Sequence, residues 1–236
     1  VASGTVLSLH RWPVKSLAGE PVDVLSLDRR GAAGDRAHAL YDHFKGAPRR
    51  LTAREAPRML AWAARYDHPE PDPDEIPRPV LTAPGGAAYA WDDPELPSAL
   101  EADLGRPVAL HSDPALMQDL GDSLLVTVQA TLDAVGAALD APLDLRRFRP
   151  NVHVALDVAA FSEERWEGRT LLVGDVELEL LHPCERCVIP TRDPDTQVKH
   201  AELLRWLTRE RGCLFGINAR AHGRGRIAAG DPVRLR

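Results

Sequence analysis

The sequence predicts a mainly β protein of the α+β class, with a β-barrel or sandwich core and a few short helices. Three observations lead there. Short apolar runs with period-two alternation recur along the chain. Glycine and proline punctuate them at close intervals. Amphipathic helical runs are few and short. With 236 residues and a hydrophobic fraction of 44%, the chain can bury a substantial core, as one large domain or two small ones.

The elements follow in order. Val6 to Trp12 reads as a strand ended by Pro13, and Val22 to Leu27 alternates as a second. Gly31 and Gly34 supply a turn before a third strand from Ala37 to Tyr41. Thr52-Ala53-Arg54-Glu55 has the spacing of a helix capping box. Pro57, which removes a donor and crowds the preceding turn, favours a short turn there and a strand over Met59 to Tyr66. The acidic, proline-rich run from Asp67 to Pro79 is expected to be an exposed loop. Ser123 to Thr127 is an apolar strand, and Thr131 to Leu139 a short helix with Leu132, Val135 and Leu139 on one face. From Arg149 to Leu156 the chain alternates again. Val152, Val154 and Leu156 face one way; Arg149, Asn151 and His153 face the other. Thr170 to Leu181 is a hairpin turning at Gly174-Asp175, with Val176, Leu178 and Leu180 inward. Ala201 to Arg211 is an amphipathic helix stopped by Gly212, and Gly230-Asp231-Pro232 turns into a last strand, Val233 to Leu235.

Charge narrows the function classes. A formal net charge of −6 argues against wholesale binding to nucleic acid or to an anionic membrane. Basic residues still cluster locally, at Arg146, Arg147 and Arg149 and at Arg220, Arg224 and Arg226, which suits a small anionic ligand. No apolar run approaches the roughly 20 residues that span a bilayer. The first residues lack the features of a signal peptide, and three cysteines do not make a disulfide framework, so a cytoplasmic location is expected. There is no GxGxxG or GxxxxGK[ST] phosphate loop.

The chemistry concentrates in His182-Pro183-Cys184-Glu185-Arg186-Cys187. Both thiols come where a proline is expected to break a strand. Arg186 between them favours a thiolate by charge proximity, and a thiolate is a soft ligand for a soft metal. A structural zinc site needs two further ligands, for which His182 and Cys213 are the candidates. A thioredoxin-like redox pair is opposed by Pro190 and by the lack of βαβ patterning. Cys213, between Gly212 and Leu214-Phe215, reads as a small buried hydrophobe. Two further groups can grip an anion: Arg149 with Asn151, and Lys15 with Arg36 from two strand ends. Taken singly, each of these also reads as solvated surface.

Together these motifs resemble a known family. The stretch from Arg147 onward is similar to a MOSC domain, named after the C-terminal part of molybdenum-cofactor sulfurase. It carries Arg147-Phe148-Arg149-Pro150-Asn151, Cys184-Glu185-Arg186-Cys187, Thr191-Arg192-Asp193-Pro194-Asp195-Thr196, Leu214-Phe215-Gly216 and Gly230-Asp231-Pro232 in the family's order. Pro13-Val14-Lys15-Ser16, Gly34-Asp35-Arg36 and Leu51-Thr52-Ala53-Arg54 resemble the β-barrel domain that precedes MOSC in two-domain members. The resemblance implies an N-terminal β-barrel domain over 1–110 and a MOSC β-barrel over 111–236, with a site between them. It implies a molybdenum cofactor (Mo-molybdopterin) whose metal is held by Cys187, the catalytic thiolate, with cofactor contacts from Lys15, Arg36, Arg149 and Asn151. Leu120-Gly121-Asp122-Ser123-Leu124 stands where relatives carry Asp-x-Ser-Pro, so Asp122 or Ser123 fills that role, with Ser123 the candidate contact. Pro190 departs from the hydroxyl residue common after the cysteine loop. Related members, such as the mitochondrial amidoxime-reducing component, reduce N-hydroxylated small molecules. No flavin, haem or iron–sulfur motif is present, so the electrons are expected from a separate donor protein. Sulfur transfer through a cysteine persulfide, a non-catalytic cofactor carrier and a zinc-stabilised domain remain the alternatives.

Overall fold

The computed structural model describes residues 2–28, 30–68, 74–113 and 124–236. Its strands begin with β1 (Ser3–Arg11), β2 (Glu20–Val22), β3 (Val24–Asp28), β4 (Gly31–Ala32), β5 (His38–Phe44) and β6 (Ala47–Arg50). There follow β7 (Ala63–Arg65), β8 (Val80–Thr82), β9 (Ala88–Ala90), helix α1 (Leu96–Leu104) and β10 (Ala109–Ser112). The second half contributes β11 (Leu124–Val128), α2 (Gln129–Ala138), β12 (Val152–Leu156), β13 (Thr170–Val173) and β14 (Val176–Glu185). It ends with α3 (Ala201–Arg211), β15 (Leu214–Ala221), β16 (Gly225–Ala228) and β17 (Pro232–Leu235). The mainly β fold expected from the sequence is therefore present.

Seven strands pair in the cyclic order β12-β11-β15-β14-β13-β17-β1, and β1 returns to β12, closing a barrel; β2 adds to the far end of β1. Closure leaves no free edge along the ring. Every pairing in it is antiparallel except β11 with β12. The inward residues are the alternate apolar ones, Val152, Val154, Leu171, Val173, Leu178, Leu180, Ile217 and Ala219 among them, all fully buried. The first strand, Ser3–Arg11, joins this ring of C-terminal strands: Gly4 to Leu9 pair along β12 and Ser3 to Thr5 along β17. Among the described residues there are three further three-stranded sheets, β10-β5-β6, β7-β8-β9 and β16-β3-β4. A second apolar core around Val14, Leu40, Met59, Trp62, Leu81 and Leu100 holds the first half together.

Several expected elements differ in the structure, each for a local reason. The run Val22 to Leu27 is one alternating pattern but two strands. Glu20–Val22 pairs with β1, and Val24–Asp28 pairs with β16. Between them the Asp23 carbonyl accepts from Ala229 N. Pro57 starts a 3-10 turn over Pro57–Ala61, so the strand expected from Met59 begins only at Ala63. β14 runs through Pro183 to Glu185, because register irregularities on either side of Pro183 absorb the residue that cannot donate to the ladder. Helix α3 spans the expected residues, and Gly212 ends it at φ 59°.

Candidate active site

A cavity of about 360 Å³ opens between the end of the barrel and the first half of the chain. Its walls come from loops far apart in sequence: Lys15, Ser16 and Arg36 after β1 and β4, and Arg50, Thr52 and Arg54 at the end of β6. On the barrel side stand Leu125, Phe148, Arg149, Asn151 and Asn218, with the loop from Cys184 to Ile189. Lys15, Arg36, Arg149, Asn151 and Cys187, the residues singled out from the sequence, thus line one cavity. Ser123 lies outside the described residues.

The backbone is forced at this wall. Ser16, Arg36 and Arg149 have φ of 68°, 51° and 55°, values that a side chain with a Cβ rarely adopts. Left-handed residues of this kind gather where the surroundings over-determine them. Arg149 therefore does not sit on the strand that the alternation implied. It ends the 3-10 turn Leu145–Phe148, and the strand starts at Val152. Its guanidinium lies 4.2 Å from the centre of the Trp12 ring and donates to the Leu17 carbonyl at 2.7 Å. Trp12 Nε1 in turn donates to Pro150 O at 2.9 Å, which ties the loop after β1 to the loop before β12. Arg36 pairs with buried Asp35, whose other oxygen accepts from Trp12 N at 2.7 Å. Gly34 precedes this pair at φ 77°, and a Cβ there would meet the Tyr66 ring at 2.6 Å.

Asn151 is fully buried and serves the fold as well as the cavity. Its side-chain oxygen accepts from Leu125 N at 3.1 Å and its amide donates to His10 O at 3.3 Å, bridging β11 to β1. The cysteine loop is held chiefly by Arg186. Its Nη1 donates to Cys184 Sγ at 3.0 Å and its Nη2 to Phe148 O at 2.6 Å. Its backbone N donates to Cys213 O at 2.8 Å, and Cys213 Sγ donates to Arg186 O at 2.9 Å. The guanidinium expected to serve both thiols thus meets Cys184. Cys213, expected as a small buried hydrophobe, is half-buried and acts as a hydrogen-bond donor. Cys184 is buried, and Cys187 is half-buried on the cavity wall.

Electrostatically the cavity opposes the net charge of the chain. Six cations line it, Lys15, Arg36, Arg50, Arg54, Arg149 and Arg186, against one carboxylate, Glu185. Among the described residues no three His, Cys, Asp or Glu side chains gather as a metal-binding cluster. The donor set is two thiols, the half-buried Cys187 and the buried Cys184, among cations, which suits an anionic group carrying its own metal better than a bare ion held by protein ligands alone. The Ser16 hydroxyl is buried without a hydrogen-bond partner at the same wall, as a site that completes its bonding with a ligand would leave it.

The model of the MOSC domain matches residues 114–234, and that of the MOSC N-terminal beta barrel domain matches residues 3–91. The chain belongs to the MOSC domain family. Mitochondrial amidoxime reducing component 2 of Macaca fascicularis and that of Homo sapiens are each 27% identical to this MOSC protein over 287 aligned positions. The match takes in 98% of this chain and 83% of each relative. Mitochondrial amidoxime-reducing component 1 of Homo sapiens is 34% identical over 148 positions, 57% of this chain and 41% of that protein. The crystal structure of the YUAD protein from Bacillus subtilis shares the fold, with a TM-score of 0.53 at 14% identity, covering 100% of this chain and 97% of that one. No helix among the described residues is long and apolar enough to cross a membrane.

Within the MOSC motifs, the structure separates residues that face the cavity from residues that build it. Asp193 accepts from Thr196 N and from Arg147 Nη2, so it shapes its own loop and anchors the Arg147 turn. Those bonds, the backbone N–H of Thr196 first, hold its carboxyl below the usual carboxylate range. Phe215 stacks on Phe148, a residue of the cavity wall, with centroids 3.6 Å apart. Arg50, Arg54, Glu185 and Asn218 face the cavity without having been singled out. Arg54 and Glu185 stood in motifs already quoted. Arg50 and Asn218 carry no sequence signal of their own, because their place depends on β6 ending at this cavity and on β15 passing beside it.

Proposed function

We propose that this MOSC protein is a molybdenum-cofactor oxidoreductase that reduces N-hydroxylated small molecules. The observation that carries the reading is the meeting of Cys187 with six cationic side chains in one cavity of a chain whose net charge is −6. The relatives named as amidoxime reducing components point to the same reaction class. Cys187 supplies the thiolate to the metal, and Lys15, Arg36 and Arg149 grip the anionic part of the cofactor by charge-assisted hydrogen bonds. Ser123 and Asn151 stand as further cofactor contacts, Asn151 through whatever bonding capacity its two backbone bonds leave it. When bound, the cofactor supplies the two-electron oxygen-atom chemistry, and the protein supplies binding, orientation and electrostatics. In the reaction the N–O bond breaks, two electrons and two protons enter, and water leaves. A separate donor protein provides the electrons.

Elemental analysis tests this first. The protein is purified from a host that makes molybdenum cofactor, beside Cys187→Ser and Cys184→Ser. Near-stoichiometric molybdenum is expected in the parent protein, lost in Cys187→Ser and largely kept in Cys184→Ser. An amidoxime and a chemical reductant then give turnover. Bound molybdenum without turnover means a carrier. A persulfide without metal means sulfur transfer, and either result overturns the reductase reading.

A further inference from the structure

A second, smaller cavity of about 200 Å³ lies behind the first, and the two share Arg149 and Ile189 as a common wall. Cys187 does not line it. Its apolar lining is Trp12, Pro21, Leu60, Ile189 and Pro194. Its polar lining is Arg146, Arg147 and Arg192 with Asp193 and His10. Arg146 is paired with Asp144 and Asp195, and Arg147 with Asp193. The Arg192 guanidinium has one hydrogen bond, to the Gln197 carbonyl at 3.3 Å, and meets no carboxylate among the described residues. Two buried polar atoms of the lining have no hydrogen-bond partner, Nδ1 of His10 and Nε of Arg147, and His10 is only 9% exposed. Buried donors and acceptors are nearly always satisfied, so two orphans beside one uncompensated guanidinium call for a missing group.

We propose that this cavity is a binding site for a compact organic anion with an apolar body, of the class of a small aromatic carboxylate. The carboxylate lies against Arg192, whose planar fork matches it, and the ring lies against the apolar wall of Leu60, Ile189 and Pro194. The volume is below the range usual for drug-sized ligands, which limits the body to about one ring. The site is independent of the molybdenum reading, because its lining excludes Cys187 and its ligand needs no metal.

The test is titration of the full chain with benzoate, followed by ligand-observed NMR, with benzamide as the neutral isostere. Saturable benzoate binding is expected, at least about tenfold tighter than benzamide, a difference of about 1.4 kcal/mol. Arg192→Gln weakens it at least about fivefold, and Leu60→Trp, which adds bulk to the apolar lining, abolishes it. Arg54→Gln, in the cation-lined cavity alone, leaves it within about twofold. Leu60 is buried, so Arg192→Gln, in the polar lining, decides the matter should Leu60→Trp fail to fold. No saturable binding, equal affinity for benzamide, or a loss caused by Arg54→Gln with none from Arg192→Gln each overturns the proposal.

Discussion

At the scale of single residues, the cavity shows how one side chain carries a structural and a site role together. The amide of Asn151 joins β11 to β1 by two bonds to backbone groups, in full burial. Asn151→Ala leaves Leu125 N and His10 O without those partners, and each buried unsatisfied group costs about 1–3 kcal/mol. The variant is expected to unfold at clearly lower urea concentration even when purified without cofactor; an unchanged midpoint would reduce Asn151 to a ligand contact. Arg186 makes a matching case in the cysteine loop. Its guanidinium holds Cys184 Sγ and the Phe148 carbonyl at once. Arg186→Lys keeps the charge but cannot span both with a planar fork. It should therefore lower molybdenum retention, while Arg209→Lys, paired with Glu210 on the surface, leaves it unchanged.

At the scale of elements, three buried histidines give the fold a dependence on pH, among them His10, lowered chiefly by burial. His38 on β5 is placed between Ser112 Oγ and the Pro77 carbonyl, and His153 on β12 between Thr127 Oγ1 and Gln129 Oε1. Burial pushes both pKa values down to about 4. The unfolded chain takes up these protons near pH 6.5, so their contribution is complete above that value and is lost as pH falls towards about 4. Glu163, raised by burial, acts in the opposite sense, and the arginine-paired Asp42 and Asp103 lose their contribution only at still lower pH. A loss of about 2–5 kcal/mol between pH 7 and pH 4.5 is expected. Denaturant midpoints across that window should show it, with a shallower slope for His153→Gln; an equal slope would remove His153 from the account. The same strand shows what periodicity reveals and what it hides. The alternation of Val152, Val154 and Leu156 is plain in the sequence and is obeyed. The face carrying His153 read as solvated, yet it is covered by α2, a packing that no local pattern records. The hairpin of β13 and β14 and the helix α3 were readable because their turn glycines, Gly174 and Gly212, mark them locally. The left-handed Arg149 was not, because its conformation is imposed by Trp12 and Leu17, more than a hundred residues away.

At the scale of the whole molecule, the first strand is what makes two sequence regions one fold. The cysteine loop and the Arg149 turn were readable from their motifs, but not that residues 3–11 complete the barrel behind them. Such pairing joins residues about 150 apart along β12 and about 230 apart along β17, and leaves no mark in any of the segments. Val6 and Leu9 are buried in the barrel core, and β1 covers the edges of both β12 and β17. The approach is close: a Cβ on Gly4 would meet the Ala155 carbonyl oxygen at 1.7 Å. A fragment of residues 111–236 lacks this strand and β3, the partner of β16. It would expose the edges of β12, β17 and β16 and the apolar surface of Val6's and Leu9's neighbours to water. That fragment is expected to lack a cooperative unfolding transition, and Gly4→Val in the full chain should lower the melting temperature by several degrees or more, about 1–3 kcal/mol of overpacking. A fragment that melts cooperatively near the temperature of the full chain would show instead that the barrel closes without β1. The same experiment bears on the site, because a self-sufficient 111–236 would still lack Lys15, Ser16 and Arg36 from its cavity wall.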